Sequence, residues 1–313
     1  MAKNFDCIIL GGGPAGLSAS LYAHRAGLKT TIIDVTALGG APINYCEIEN
    51  YLGFKKIQGF ELCEKFENHI GEFEIEKYPY EEIKSIDLIS PIKKIKTLNH
   101  EFSAKSIIIA TGAKNKKLGV AGEIENIGHG VSYCAVCDGA FYKDKIVAVV
   151  GGGNSALEEA LYLTKHAKKV YLIHRRGTFR ADKIIQDKIF SNKKIELVLD
   201  SVVEEILADE KVHTIKIKNV KNNKNAKLKV DGIFPYIGLE PNIEHFGAQL
   251  KLDESGFILT DEFMKTNIDG IYAIGDVRKT PLRQVITAVS DGAIAGIEAS
   301  KYIMNLENTA IRK

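Results

Sequence analysis

Residues 146–156, IVAVVGGGNSA, read as a short apolar strand running into a glycine turn and then the start of a helix, and residues 5–16, FDCIILGGGPAG, repeat that grammar near the N-terminus. In the first copy a strand at 5–10 leads through GGGPAG into a helix, and a second strand follows at 28–33. Ala15, Ala19 and Ala23 fall four apart on that helix, a small-residue stripe that lets it pack close to a sheet. In the second copy the strand at 146–150 is followed by a helix over 155–167 and a strand at 170–173. Each is a βαβ opening with its glycines at the strand-to-helix turn. The chain therefore carries a duplicated dinucleotide-binding unit, and its fold class is α/β with two Rossmann-like domains.

Both copies also close alike. SIIIA at 106–110 ends in Thr111-Gly112, and GIFPYI at 232–237 ends in Gly238. Between opening and closing lie alternating stretches that read as β-meander inserts; in TIKIKNVKNNKNAKLKV at 214–230, apolar residues alternate with lysines around an Asn-rich turn, which predicts a hairpin. Its lysines read as a solvated strand face. The last third adds a strand at 270–274 and a helical run over 285–304 with no counterpart in the second copy, so it completes the first domain. The second domain is then inserted into the first, with crossings near 113–117 and 238–242. The expected order is a first domain over 1–114, an inserted domain over 115–241, and the return of the first over 242–313.

Size and composition fit this plan. A chain of 313 residues exceeds what one core usually supports, and 45% hydrophobic content with 28 glycines and 7 prolines describes an ordinary globular protein. Charge is nearly balanced, at +2 from 42 basic and 40 acidic residues, so no global field favours nucleic acid or an anionic membrane. No apolar run approaches the roughly 18 residues of a membrane span. The N-terminal apolar run reaches its glycines too soon for a signal peptide, which places the chain in the cytoplasm.

Gly11-x-Gly13-x-x-Gly16 lets a pyrophosphate approach the backbone amides of the helix start. Asp34 ends the following strand, where a carboxylate accepts from a ribose hydroxyl. This first site suits FAD or NAD. Gly151-x-Gly153-x-x-Ala156 repeats the device, but its next strand ends in His174-Arg175-Arg176, with Arg180 four residues later. Arginines where the acid would stand favour a 2′-phosphate through charge-assisted, bidentate contacts, so the second site takes NADPH.

Five cysteines in a chain without an export signal argue against a disulfide scaffold. Cys134 and Cys137 form a CxxC followed by Asp138, and no second CxxC or paired histidine supplies the other half of a zinc site. Redox chemistry is the better reading, with Asp138 placed to carry the proton of thiol–disulfide exchange. Cys7 reads as a buried strand residue and Cys63 as a structural helix residue. Cys46 lies in a loop after the first βαβ turn, near where a flavin ring could lie.

These motifs, in this order, resemble the low-molecular-weight thioredoxin reductases over essentially the whole chain. The residues that carry the likeness are GGGPAG at 11–16, EIEN at 47–50, ATGA at 110–113, CAVCDG at 134–139, GGGNSALEEALYL at 151–163, HRRGTFRA at 174–181, GDV at 275–277 and RQV at 283–285. The resemblance implies FAD held by Gly11, Gly13, Pro14, Ala15, Gly16, Asp34, Gly40, Asn50, Thr111, Gly112, Gly275, Asp276, Arg283, Gln284 and Val285. It implies NADPH held by Gly151, Gly153, Asn154, Ser155, Ala156, His174, Arg175, Arg176 and Arg180. Cys137 would face the flavin, Cys134 would attack the disulfide of thioredoxin, Asp138 would act as acid–base, and the enzyme would be a homodimer whose inserted domain rotates to alternate the two reactions.

The chain departs from the family at two places: Gly39-Gly40 are followed by Ala41-Pro42 where Gln-Leu is usual, and Leu52 precedes Gly53 where Pro is usual. Both changes fall in segments expected beside the flavin. Ferredoxin-fed relatives lack the GxGxxA and HRR motifs that this chain has. A flavin dithiol oxidase is disfavoured by those same motifs, and a redox-sensing flavoprotein without turnover is the remaining alternative.

Overall fold

In the computed structural model, residues 2–44, 47–246 and 249–311 are described. The chain divides into two compact units, one built from Met1–Lys114 and Glu240–Lys313, the other from Asn115–Leu239.

The first unit opens with β1 (Lys3–Leu10), α1 (Pro14–Arg25), β2 (Thr30–Ile33), α2 (Gly59–Gly71), β3 (Glu76–Tyr78), β4 (Ile83–Asp87), β5 (Lys93–Thr97) and β6 (Glu101–Ile109). The order β3-β2-β1-β6 is parallel; β5 pairs antiparallel along the first half of β6, and β4 pairs antiparallel with β5 at the edge. Alternation along β1 sorts its side chains: Cys7 and Ile9 face the helices, Ile8 and Leu10 the opposite layer. Strand β7 (Ala113–Asn115) then pairs with β15 (Leu239–Pro241), where the chain leaves and re-enters this unit.

The second unit contains α3 (Ala135–Asp138), β8 (Ile146–Gly151), α4 (Asn154–Leu163), β9 (Lys169–Ile173), α5 (Lys183–Ser191), β10 (Ile195–Val198), β11 (Ser201–Ala208), β12 (Val212–Asn219), β13 (Asn225–Lys229) and β14 (Gly232–Tyr236). Its parallel sheet, β10-β9-β8-β14, repeats the strand order of the first unit. Val147 and Val149 of β8 pack toward the helices, while Ala148 and Val150 pack toward the antiparallel sheet β11-β12-β13. The hairpin expected at 214–230 is β12–β13, with Asn223 at φ +56 in its turn; β11 is a third strand beside it. Helix α4 ends at Leu163 rather than 167. Past Leu163 the amides turn to carbonyls three residues back, Lys165 N to Tyr162 and His166 N to Leu163, both at 3.0 Å, and the Thr164 hydroxyl bonds back to the Leu161 carbonyl, tightening the last turn.

The first unit is completed by β16 (Ile271–Ala273), which pairs in parallel with the second half of β6, and α6 (Val285–Ile311). The alanine stripe of α1 meets α6, not only the sheet. A Cβ on Gly292 of α6 would lie 2.3 Å from the Ala15 carbonyl oxygen, and one on Gly296 would lie 2.8 Å from that of Ala19. Glycines on one helix and alanines on the other thus bring two backbones into contact. Among the described residues, no helix is long and apolar enough to cross a membrane.

Candidate functional site

In the first unit the glycine turn is shaped by contacts that exclude side chains. A Cβ on Gly16 would lie 1.9 Å from the Gly11 carbonyl oxygen, and Gly11 itself, at φ +108, abuts Ala110 and Thr111 at the end of β6. Gly40, at φ +67, presses on Gly13, and Gly275 lies against Ala15. Gly13 caps α1 with no side-chain bond, Pro14 opens the helix, and its first turn holds no acid, so the amide end remains open to an anion. Asp34 accepts from Gly12 N at 2.6 Å and Thr36 N at 2.7 Å, and a carboxylate has further lone pairs for a ribose hydroxyl. Gly112 follows at φ +67; Thr111 and Asn242 exchange side-chain-to-carbonyl bonds of 2.7 and 2.9 Å.

The C-terminal residues join the same unit. Asn50 Nδ2 donates to Gln284 Oε1 at 3.0 Å, and Val285 packs on Ile48, Ile57 and Leu62. Arg283 lies over the Phe257 ring at 4.0 Å, and its Nε is buried without a partner, an orphaned donor of the kind a ligand oxygen satisfies. Burial pushes the Asp276 carboxyl up from its ordinary range; Arg283 opposes that shift and Asp291 adds to it. Sequence reading missed Asp291 and Arg278, which form a paired fork at 2.7 and 3.0 Å, while Asp291 also accepts from Gly275 N at 3.0 Å. Their thirteen-residue separation carries no local signal. The open helix start, the free carboxylate lone pairs and the orphaned Arg283 donor suit a bound dinucleotide such as FAD.

Cys7 is buried in β1, and burial pushes its thiol up to about 12; Cys63 is buried on α2 and its thiol is pushed up to about 11. Neither is poised as a nucleophile. Cys46 lies outside the described residues. Of the two departures, Ala41–Asn44 forms a 3-10 turn, and Leu52 is 92% exposed beside Tyr51 and Phe54, whose rings stack.

In the second unit Cys134 and Cys137 form a disulfide, with Cα atoms 5.3 Å apart. Cys134 stands at the cap of the one-turn helix α3, and its sulfur accepts from Cys137 N at 3.2 Å. The same bond would hold a Cys134 thiolate after reduction. The approach to α3 is tied down: the Ser132 hydroxyl accepts from Cys134 N, and the Tyr236 hydroxyl accepts from Ala135 N at 3.0 Å. Behind them Glu123, fully buried, accepts from Leu118 N, Gly119 N and the Tyr133 hydroxyl, each at 2.7 Å. Cys137 is exposed, while Cys134 and Asp138 are half-buried.

The second glycine turn matches the first. Gly151 abuts the Tyr236 carbonyl and Ala156, Gly153 caps α4 without a side-chain bond, and the first turn again holds no acid. Ser155 is exposed there, while the Asn154 side chain is engaged with Asp182. Arg175, Arg176 and Arg180 are exposed. His174 is not: it is 5% exposed, and a Cβ on Gly152 would fall 2.3 Å from its ring. Burial holds the imidazole below its usual range, with Arg180 acting the same way, so His174 packs beneath the turn as a neutral ring.

Glu159 of α4 is buried, with Oε2 unpartnered, and burial raises its carboxyl from 4.5 to about 7. A raised folded-state pKa means that stability falls as pH climbs from 4.5 through 7. Glu159→Gln is therefore expected to stabilise the protein at pH 8 by up to about 3 kcal/mol, an advantage that vanishes toward pH 4.5. Thermal melts of both proteins across that range check it; a pH-independent difference would show that the carboxyl does not titrate there.

Among known proteins, the family model described as pyridine nucleotide-disulphide oxidoreductase matches residues 5–292. The thioredoxin reductase of Listeria innocua is 45% identical over 306 residues, covering 97% of this chain and 96% of that one. That of Bacillus subtilis is 42% identical over 308 residues, covering 98% and 97%. The crystal structure of Lactococcus lactis thioredoxin reductase superposes with a TM-score of 0.93 at 44% identity, covering 96% of this chain and 99% of that one. Two glycine turns of matching topology, a CxxC disulfide in the same unit as the second, and a family match across both units make this chain a member of the pyridine nucleotide-disulphide oxidoreductases.

Proposed function

We propose that this protein is a thioredoxin reductase, carrying electrons from NADPH to the Cys134–Cys137 disulfide and on to thioredoxin or a thioredoxin-like protein, as a cytoplasmic homodimer. The observation that carries this reading is the disulfide, at the cap of a one-turn helix, in the same unit as a glycine turn followed by three exposed arginines. Residues 1–114 and 242–313 would hold FAD and 115–241 NADPH. Bound FAD supplies a two-electron relay between the nicotinamide and the disulfide.

The chain's own residues do the rest. Two electrons and two protons convert the disulfide to two thiols. The Cys134 thiolate, held by Cys137 N, attacks one sulfur of the partner disulfide and releases the other as a thiolate. Asp138 would take the proton that the Cys134 thiol gives up and pass it to the released sulfur. Cys137 then attacks Cys134, re-forming their disulfide and freeing the partner as a dithiol. Thr111, Gly112 and Asn50 orient one cofactor; Ser155 and the arginines bind the other.

Anaerobic addition of NADPH should bleach the flavin, and re-addition of oxidised thioredoxin should restore it; a flavin that NADPH leaves unchanged would sink the proposal. Nucleotide choice gives a second test. A charge-assisted contact is worth about 1.5–3 kcal/mol, roughly ten- to a hundredfold in binding. Replacing Arg175 and Arg176 together by alanine should raise KM for NADPH by at least that order and change KM for NADH little. Equal weakening toward both would show that the pair does not read the 2′-phosphate.

A further inference from the structure

The arginine segment is held to the second glycine turn by a ladder of its own. Arg180 N donates to the Gly152 carbonyl at 2.8 Å. Two residues on, Asp182 N donates to Asn154 Oδ1 at 2.8 Å, and Asn154 Nδ2 returns a bond to Asp182 Oδ2 at 2.8 Å. Residues 152–154 and 180–182 are thus joined by three hydrogen bonds, two of them through the Asn154 amide, which accepts from the Asp182 backbone and donates to its carboxylate. The other end of the loop is also fixed: Ser201 N donates to the His174 carbonyl at 2.9 Å, and Asp200 N to that of Arg176 at 3.4 Å.

Asp182 occupies the cap position of α5, where an aspartate ordinarily accepts from its own helix's amides and stabilises that helix by about 1 kcal/mol. Here it makes no such bond. Its carboxylate points instead to Asn154, at the first helical position of α4. A capping residue that leaves its own helix uncapped to hold a neighbouring turn is better explained by the turn than by the helix. Asn154 is in turn engaged through both ends of its amide, so its side chain serves the clamp.

We propose that Asn154 and Asp182 form a clamp that fixes the arginine segment, Arg180 in particular, relative to the glycine turn, and so sets the preference for NADPH over NADH. This rests on the reading of Arg175, Arg176 and Arg180 as the 2′-phosphate site. The pyrophosphate needs only the turn; the 2′-phosphate needs the turn and the arginines at a fixed separation. Asp182 is therefore a positioning residue, whose loss is felt by the phosphorylated cofactor alone.

The test is steady-state kinetics of the FAD-loaded enzyme with NADPH and NADH, using ferricyanide as acceptor so that no protein partner is involved. Asp182→Ala should raise KM for NADPH about five- to tenfold, the loss of a hydrogen-bonded constraint, and leave KM for NADH within about twofold. Asp182→Asn, whose amide oxygen can still accept from Asn154, should restore KM for NADPH to within about twofold of the parent. Asp182→Ser, too short for the clamp but a good cap for α5, should show the same split as Asp182→Ala and guards against a misfolded alanine variant. A parallel rise for both cofactors, no rise for either, or an asparagine variant as impaired as the alanine one would overturn the clamp. If the Arg175/Arg176 double variant also fails to separate the two cofactors, the arginine reading has failed and the clamp falls with it. If that variant separates them and Asp182→Ala does not, the clamp alone is wrong.

Discussion

In a Cys134→Ser variant, NADPH-driven reduction of thioredoxin is expected to fall by about 10³-fold or more, the scale on which removal of a covalent nucleophile acts. NADPH should still bleach the flavin at an undiminished rate, since serine keeps the fold of α3 and removes only the disulfide. Cys137→Ser should lose thioredoxin reduction as completely, for a different reason: its Cys134 thiol can still attack, but the mixed disulfide has no resolving thiol, so the partner remains covalently attached. Non-reducing electrophoresis after NADPH reduction and addition of thioredoxin separates the two, with an adduct expected only for Cys137→Ser. A Cys134→Ser enzyme that retains a tenth of the parent's activity would remove the assignment.

The second large effect concerns the contact of α1 with α6. A Cβ at Gly292 would sit 2.3 Å from the Ala15 carbonyl oxygen and 2.8 Å from Ala19 N, backbone atoms that cannot rotate aside. Gly292→Val is expected to destabilise the first unit by at least about 2–3 kcal/mol and to lower its melting temperature by about 5 °C or more. Because Ala15 belongs to the glycine turn, flavin content of the purified protein should fall as well. Gly296→Val should do likewise, whereas Gly71→Val, with open space around its Cβ site, should have a much smaller effect. Parent-like melting of Gly292→Val would mean that the two helices sit farther apart than described.

What could be read from the chain in advance was what a local constraint enforces. Gly11, Gly16 and Gly151 occupy places where any side chain would strike backbone, so their spacing marks the strand-to-helix turns without reference to the rest of the fold. Strands β1 and β8 read as unbroken apolar runs because both faces of each sheet are covered. Strand β11 escaped notice because a register shift between Val203 and Glu205 breaks its period of two. Glu123 was missed for another reason: a buried glutamate has no pattern, and only the fold shows that it gathers two amides and the Tyr133 hydroxyl behind the cysteine pair. The alanine stripe of α1 was visible, but its partner was not, because Gly292 and Gly296 lie at the far end of the chain. His174 was grouped with the arginines it follows, and the fold turns it inward under Gly152 while they point out.

The division of the first unit between the two ends of the chain fixes an order of assembly. Every strand of the second unit's two sheets lies within Asn115–Leu239, an unbroken segment. The second half of β6, by contrast, pairs with β16, and the Ala19–Ala23 face of α1 is covered by α6, both made last. On the ribosome the inserted unit can therefore complete its core while the older N-terminal segment still waits for its missing strand and helix. The part of the protein synthesised first is the part finished last, and a nonsense codon ahead of α6 would spare the middle of the chain and forfeit its beginning.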